Sequence, residues 1–233
     1  MRAAHQGFTL LELMIAMTIG LFLAGALVTV VQTNKKVFLD QNQLEQMQDG
    51  QRMAMTLMTD VIQSAGYFPQ PWANSLGTTL VASGSFANSQ AMTGSLGDSI
   101  SVRYMTAPQD GILNCSGLSN TSGANVLYVN TFAVVAGQLQ CTDQNGAIYT
   151  LVSGVTNLSV LYGVNTAAGG NNVDTYMTAA QVSAPPGYWQ NVISVQISLT
   201  FTNPLYTGAG QGQAQTITIQ RVVDVMNQTG PST

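Results

Sequence analysis

The feature that most constrains this chain is an apolar run near its N-terminus, FTLLELMIAMTIGLFLAGALVTVV, which extends from Phe8 to Val31. About 20 apolar residues are enough for a helix to cross a bilayer, so the run predicts a membrane-spanning helix. Its only charged residue is Glu12. Because a charged side chain inside a span costs about 2.5–3.5 kcal/mol on insertion scales, Glu12 is a candidate functional residue.

The residues before this run distinguish it from an ordinary signal peptide. A signal peptide carries its small-residue cleavage site after the apolar region, whereas here the small residue Gly7 precedes it. We therefore expect the leader MRAAHQG, residues 1–7, to be removed and the apolar helix, residues 8–31, to be retained. The alternative is an uncleaved signal anchor that contains one stray acidic residue.

The sequence GFTLLE at positions 7–12 resembles the prepilin motif of type IV pilins and type II secretion pseudopilins. The resemblance implies that a membrane peptidase cleaves after Gly7 and methylates the new N-terminal Phe8. It also implies that Glu12 pairs with the N-terminal amine of a subunit during assembly. Electrostatics agrees, because cleavage creates a positive amine beside the unpaired N–H groups of a helix N-terminus, where a carboxylate is favoured.

The charge of the chain limits what its C-terminal part can bind. Only 7% of the residues are charged, against about 25% in typical proteins. After Arg52 the only basic residues are Arg103 and Arg221. A nucleic-acid-binding surface needs a cluster of basic side chains that neutralise phosphates. The composition therefore argues against nucleic-acid binding and is typical of an exported protein.

The two cysteines, Cys115 and Cys141, lie in a region rich in Ser, Asn and Gly that we expect to be exposed. Disulfides persist in oxidising compartments such as the periplasm. We therefore predict a disulfide between these residues and a periplasmic or extracellular position for this part of the chain.

The helix is predicted to continue beyond the membrane span, because residues 32–65 contain no proline and one glycine, Gly50. Apolar residues recur there at helical spacing, with Gln51 as a polar gap. The stripe consists of Leu44, Met47, Ala54, Met58, Val61 and Ala65. Gly66 and the prolines at 69 and 71 are expected to end the helix. The predicted domains are a leader (1–7), a helix (8–66) and a β-rich head (67–233).

Period-two alternation in the head predicts an antiparallel β-sheet, so the fold class is α+β. The predicted strands contain Thr78 to Ala82, Ile100 to Tyr104, Val126 to Ala136, Ala147 to Val152, Val155 to Val164, Ile193 to Phe201, and Ile217 to Val223. Segments 84–97, 167–186 and 207–213 are predicted to be loops. Asn145-Gly146 is typical of a tight hairpin turn.

A long helix followed by an antiparallel sheet is again the architecture of pilins, and three features resemble the minor pilins called PilW. They are the stretch from Leu44 to Tyr67, which ends in SAGY, the cysteine pair that flanks an apolar strand, and the run RVV at 221–223. The resemblance implies a complex of minor pilins that primes fibre assembly near the tip. The implied partners are other minor pilins, the major pilin, a tip adhesin, the prepilin peptidase and the inner-membrane assembly platform. The implied location is the inner membrane, with a periplasmic head, and then the pilus.

Two alternatives are a minor pseudopilin of a type II secretion system and a membrane-anchored periplasmic enzyme. The enzyme is disfavoured because the only histidine, His5, lies in the predicted leader, so the mature chain has no Ser-His-Asp or Cys-His arrangement. The sequence predicts no metal site or cofactor either. Asp143-Gln144-Asn145-Gly146 resembles part of a calcium loop but lacks the downstream acidic ligand, and we predict a turn there.

Overall fold

The computed structural model of this protein describes residues 9–95, 99–167, 172–208, 210 and 212–226. The chain divides into two compact units, residues 1–47 and 48–233. The first described element, helix α1, covers Leu10–Gln63. Soon after its end, Gly66 has a φ of +75°. This left-handed conformation is accessible to glycine without strain, which explains why the helical path stops there.

The remaining elements are two short α-helices, one turn of 3-10 helix (Trp189–Asn191) and nine strands. The helices are α2 (Leu76–Thr79) and α3 (Ala179–Ser183). The strands are β1 (Met92–Ser95), β2 (Ser99–Thr106), β3 (Val126–Val135), β4 (Gln138–Thr142), β5 (Ile148–Ser153), β6 (Val155–Val164), β7 (Thr175–Met177), β8 (Val192–Thr202) and β9 (Thr216–Asp224). The predicted fold class, a long apolar helix followed by antiparallel β-structure, is confirmed.

The strands form two antiparallel sheets rather than the single sheet expected from the sequence. One has the order β1-β2-β3-β4-β5 and the other the order β7-β6-β8-β9. The chain passes from the first sheet to the second at Gly154, which lies between β5 and β6 and has a φ of +79°. The N–H groups of Gly154 and Val155 both donate to the carbonyl oxygen of Gly137, at 2.9 and 3.1 Å. A glycine is needed here because this sharp bend requires a positive φ.

The core of the second unit lies among the two sheets and the C-terminal part of α1. That part of the helix buries Gln51, Ala54, Met55, Met58, Val61 and Ile62. In β8 the alternating residues of the predicted strand, Val195, Ile197, Leu199 and Phe201, are buried. In the first sheet, Ile100 of β2 lies opposite Phe132 of β3, which lies opposite Cys141 of β4. Strand β6 contacts β2, β3 and β4, so the two sheets share one core.

Three local predictions are wrong, and local hydrogen bonds or long-range pairing explain each. The segment 78–82 is not a strand, because Ser75 and Thr78 form a reciprocal capping box that starts α2. The predicted loop 167–186 contains β7 and α3, and α3 begins with a capping box of Thr178 and Gln181. The predicted loop 84–97 contains β1, which pairs with β2.

Candidate functional site

The N-terminal residues that carry the prepilin resemblance are only partly described. Gly7 and Phe8 lie outside the described residues. Glu12 lies in the first turn of α1, where its backbone N–H donates to the Thr9 hydroxyl at 3.3 Å. The Glu12 side chain is exposed, and no described residue pairs with its carboxylate.

The apolar segment of α1 has no core of its own, because every side chain from Thr9 to Leu39 is exposed. Helix α1 is the one helix in the described part of the chain that is long and apolar enough to cross a membrane. Its threonine hydroxyls donate to carbonyl oxygens of the preceding turn, as Thr18 does to Ile15 at 2.9 Å and Thr29 does to Ala26 at 2.7 Å. These polar groups are therefore satisfied within the helix, which is what a lipid environment requires.

In the head, the least expected feature is Arg103 of β2, whose side chain is fully buried. Its guanidinium donates five hydrogen bonds, and four of the acceptors are backbone carbonyl oxygens. The four carbonyl acceptors are Gln90 O at 2.6 Å, Val81 O and Ala87 O at 2.7 Å and Leu80 O at 3.0 Å. The fifth acceptor is the Ser83 hydroxyl, at 3.3 Å. The guanidinium also lies 4.7 Å from the centre of the Phe86 ring. Burial lowers the pKa of Arg103.

These bonds make Arg103 the centre around which residues 80–90 are folded. A buried charge is tolerated when hydrogen bonds replace its hydration, and here carbonyl dipoles do so without a carboxylate among the described residues. No local pattern indicates this role, because Arg103 stands between Val102 and Tyr104 in an alternating strand. Its acceptors lie in residues 80–90, which are distant in sequence, so its burial depends on long-range contacts.

The two cysteines form a disulfide that fixes the loop between β2 and β3 to strand β4. The Cα atoms of Cys115 and Cys141 are 6.3 Å apart. Both residues are buried, at 1% and 0% exposure, so the expected exposed position is wrong. The physical reason is that Cys141 lies on the inward face of β4, opposite Phe132 of β3, and the disulfide holds Cys115 against it.

A buried polar network holds the same loop, residues 107–125, from inside. The Tyr104 hydroxyl donates to the Leu113 carbonyl oxygen at 2.6 Å, and the Asn130 amide donates to the Tyr104 oxygen at 3.0 Å. The Asn130 Oδ1 atom accepts a hydrogen bond from the N–H of Cys115 at 2.9 Å. Burial raises the pKa of Tyr104 far above its ordinary value, so the phenol stays protonated and keeps donating.

The loop fixed in this way presents apolar side chains to solvent beside a groove. Leu113 and Leu118 are 50% and 61% exposed. The groove has a volume of about 350 Å³ and lies between the last turns of α1, the loop at 111–114 and Met226. Leu57 and Ile112 belong to its lining. We define this area as the disulfide-loop surface.

The described part of the head shows no obvious reactive centre. Within the described ranges, no group of three or more His, Cys, Asp or Glu side chains is placed to hold a metal ion. Asp143 forms the predicted turn, because its Oδ1 atom accepts the N–H groups of Asn145 and Ala147, both at 2.9 Å. Asp174 has a pKa below its ordinary value because the hydroxyl and the N–H of Thr166 both donate to its carboxylate. These carboxylates therefore stabilise turns.

Two family models match the sequence. The model described as Prokaryotic N-terminal methylation motif matches residues 2–28. The model described as Type IV Pilus-assembly protein W, the PilW family, matches residues 119–230. No curated protein sequence matches the chain.

Among solved structures, the chain is similar to a type IV-like pilin from Thermus thermophilus. The two sequences are 13% identical, and the TM-score is 0.42. The similarity covers 78% of this chain and 98% of the other.

Proposed function

We propose, from the premise that this chain belongs to the PilW family of type IV pilus minor pilins, that it is incorporated near the tip of a pilus and helps to prime fibre assembly. The observation that carries the proposal is the apolar segment of α1, in which every side chain from Thr9 to Val31 is exposed and only Glu12 is charged. Exposed apolar surface of this extent marks a site of membrane or protein contact. Lipid covers the segment before assembly, and neighbouring spans cover it in the fibre.

The N-terminal residues have distinct roles in this proposal. The prepilin peptidase cleaves after Gly7, where the missing side chain allows close approach to the backbone. The new N-terminal Phe8 is methylated, and Glu12 pairs with the N-terminal amine of a neighbouring subunit. The head is periplasmic while the chain is anchored in the inner membrane, and it reaches the cell surface with the pilus.

Segments 84–97 and 167–186 contain β1, β7 and α3, so they are not the long projecting loops that a position at the fibre end would favour. The support now comes from the disulfide-loop surface. Its exposed leucines, Leu113 and Leu118, sit on a loop that a disulfide and a buried network hold in one conformation. A rigid apolar surface binds a partner with little loss of conformational entropy. The partners of the disulfide-loop surface are other minor pilins, the major pilin or a tip adhesin. The assembly platform acts on the membrane-anchored form of the protein.

The family and the fold are structural rather than enzymatic. The description of the matched model, a pilus-assembly protein, favours a pilus over the pseudopilin alternative. The genes next to this one separate the two systems, because fimbrial genes accompany the first and secretion-channel genes the second.

The experiment is a deletion strain combined with quantitative proteomics of sheared fibres. We expect few copies of this protein per fibre, each beginning with methylated Phe8. Deletion should sharply reduce the number of fibres seen by electron microscopy, while the major pilin stays in the membrane. An abundance close to that of the major pilin contradicts the priming role, as do normal fibre numbers without the protein. An intact Met1 terminus contradicts the processing step.

A further inference from the structure

The second unit, residues 48–233, carries two exposed basic residues in its described part, and the fold brings both to one groove. Arg52 lies on α1 and Arg221 on β9, and both line a groove of about 280 Å³. Met55 of α1 and Ile219 of β9 form part of its walls. Residues 219 and 221 share one face of their strand, because side chains alternate along a strand. None of the described residues that line the groove is acidic, although the chain has a formal net charge of −4.

The two arginines have unused hydrogen-bonding capacity. Arg221 donates from Nη1 to the Thr59 hydroxyl at 3.2 Å, and that hydroxyl donates in turn to the Met55 carbonyl oxygen at 2.6 Å. Neither Arg52 nor Arg221 forms an ion pair with any residue that the structure describes. A guanidinium has five N–H donors, so both retain donors for a further acceptor.

A second and independent observation points to a missing acceptor at this place. Gln51 lines the same groove and is only 8% exposed. Its Nε2 atom is buried and has no hydrogen-bond partner within the described part of the head. Leaving a buried amide donor unpaired is unfavourable, and native structures rarely do so without a reason. Because Gln51 belongs to the groove lining together with the two arginines, an acceptor bound there is the partner that we assign to this donor.

We infer that the groove is a carboxylate-binding site for an aspartate or glutamate side chain of a neighbouring, unlike pilin subunit. Arginine matches a carboxylate because its planar fork donates two parallel hydrogen bonds. The apolar walls weaken the screening by water and strengthen such a contact. Small-molecule pockets usually have volumes of about 300–1,000 Å³, so a groove of about 280 Å³ suits one side chain better than a metabolite.

The choice of an unlike subunit rests on the proposed function, because a protein present in few copies rarely has a copy of itself as a neighbour. This carboxylate site differs from the proposed Glu12 contact in its position in the chain and in the sign of the charge that this chain contributes. There the chain contributes a carboxylate, whereas here it contributes the cations.

The test uses the full-length chain in its own cells and a zero-length cross-linker. Arg52→Lys and, separately, Arg221→Lys place a primary amine in the groove. A water-soluble carbodiimide activates a carboxylate; the amine then attacks the carboxyl carbon and loses a proton, an amide bond forms, and the carboxyl oxygen leaves on the urea. Only a carboxylate in contact with the amine reacts in this way. Mass spectrometry identifies the joined peptides in membranes and in sheared fibres.

The matched control is Thr218→Lys, which adds an amine to the same strand on the face opposite Arg221. We expect each groove variant to give a cross-link to an acidic residue of another pilin-like protein, with a yield about tenfold above this control. In Arg52→Gln/Arg221→Gln double mutants, which keep the folded head and its disulfide, less of the partner should co-purify. Intrinsic tryptophan fluorescence verifies that the head is folded in every variant.

The outcomes separate this inference from the proposed function. If the protein is present in fibres but the groove variants cross-link no better than Thr218→Lys, the carboxylate site is refuted and the minor pilin role stands. If the protein is absent from fibres, the proposed role fails, and the cross-link in the membrane fraction decides the site on its own. A cross-link only within the chain, or only to a second copy of it, overturns the assignment to an unlike subunit.

Discussion

The apolar segment of α1 and the head are rich in the same residue types but bury them differently. From Thr9 to Leu39 every side chain is exposed, whereas the head buries Tyr104, Phe132, Leu199 and many others almost completely. The head therefore contains the partners that its core needs. The apolar segment does not, and its partners are lipid or other chains. The sequence of the head specifies a fold, and the sequence of the apolar segment specifies a contact with lipid or with other chains.

The same contrast holds for the single charges that lie among apolar residues in each region. Glu12 has no described partner for its carboxylate, while Arg103 is fully buried and makes five hydrogen bonds within the head. An isolated charge inside a fold must be satisfied by that fold. An isolated charge on an exposed apolar segment can be paired only by a group of another molecule. Mutations of the two residues should therefore affect different properties.

Glu12→Ala should have the largest effect, and only on assembly. The substitution removes a charge that is costly in a membrane, so insertion should be at least as efficient as in the parent. Loss of about 1.4 kcal/mol of pairing lowers entry into the fibre tenfold, and we expect a decrease of at least this size. Immunoblots of sheared fibres and of membranes measure the ratio. Normal incorporation of the variant would show that the carboxylate has no role in assembly.

Arg103→Leu should destabilise the head by more than about 3 kcal/mol, because each buried acceptor left without a donor costs about 1–3 kcal/mol. The substitution leaves four carbonyl oxygens in residues 80–90 without their donor. Arg103→Lys is the matched control, because it keeps the charge but has only three donors in place of five; it should recover part of the loss. Urea unfolding of the full-length protein in detergent, followed by tryptophan fluorescence, measures both. Equal stability of the parent and the leucine variant would contradict the role of Arg103.

How far the sequence predicted the structure depended on whether the relevant contacts are local. The helix and the alternating strand at 193–201 are periodic patterns, and both were predicted correctly. The burial of Arg103 and of the cysteines depends on segments distant in sequence, which no local pattern reveals. The groove that Arg52 and Arg221 line also depends on segments distant in sequence. Residues 78–82 were predicted as a strand from their residue types, but the capping box of Ser75 and Thr78 starts a helix there. This signal is local, but a search for strand-forming residues does not detect it.

Loss of the disulfide should have a smaller effect than loss of Arg103. In the chain-entropy model, closing a loop of this size stabilises the folded state by about 3 kcal/mol. The double substitution Cys115→Ala/Cys141→Ala should lower the free energy of unfolding by about that amount, while the network of Tyr104 and Asn130 keeps the loop near its place. The comparison is with Arg103→Leu under the same urea conditions. Free thiols in the native protein, measured without reductant, would contradict the disulfide itself.

The smallest effect should come from the same substitution, glycine to alanine, made in each region. A Cβ atom at Gly50 would lie 2.7 Å from the Val152 Cγ2 atom of β5, whereas at Gly25 it would meet nothing within 4 Å. Alanine favours a helix over glycine by about 1 kcal/mol, but overpacking costs about 1–3 kcal/mol, and the branched Val152 side chain has little freedom to turn away.

We therefore expect Gly50→Ala to destabilise the head by about 1 kcal/mol, because the overpacking exceeds the gain in helix propensity. Gly25→Ala should leave the urea midpoint of the head unchanged, since its surroundings in the isolated chain are empty. If Gly25→Ala alters anything, it should be entry into the fibre, where neighbouring spans approach the helix. The double variant Gly50→Ala/Val152→Ala should have a urea midpoint at least as high as that of Val152→Ala alone, because Val152→Ala removes the atom that clashes with the new Cβ. A Gly50→Ala variant as stable as the parent would contradict the close packing of α1 on β5.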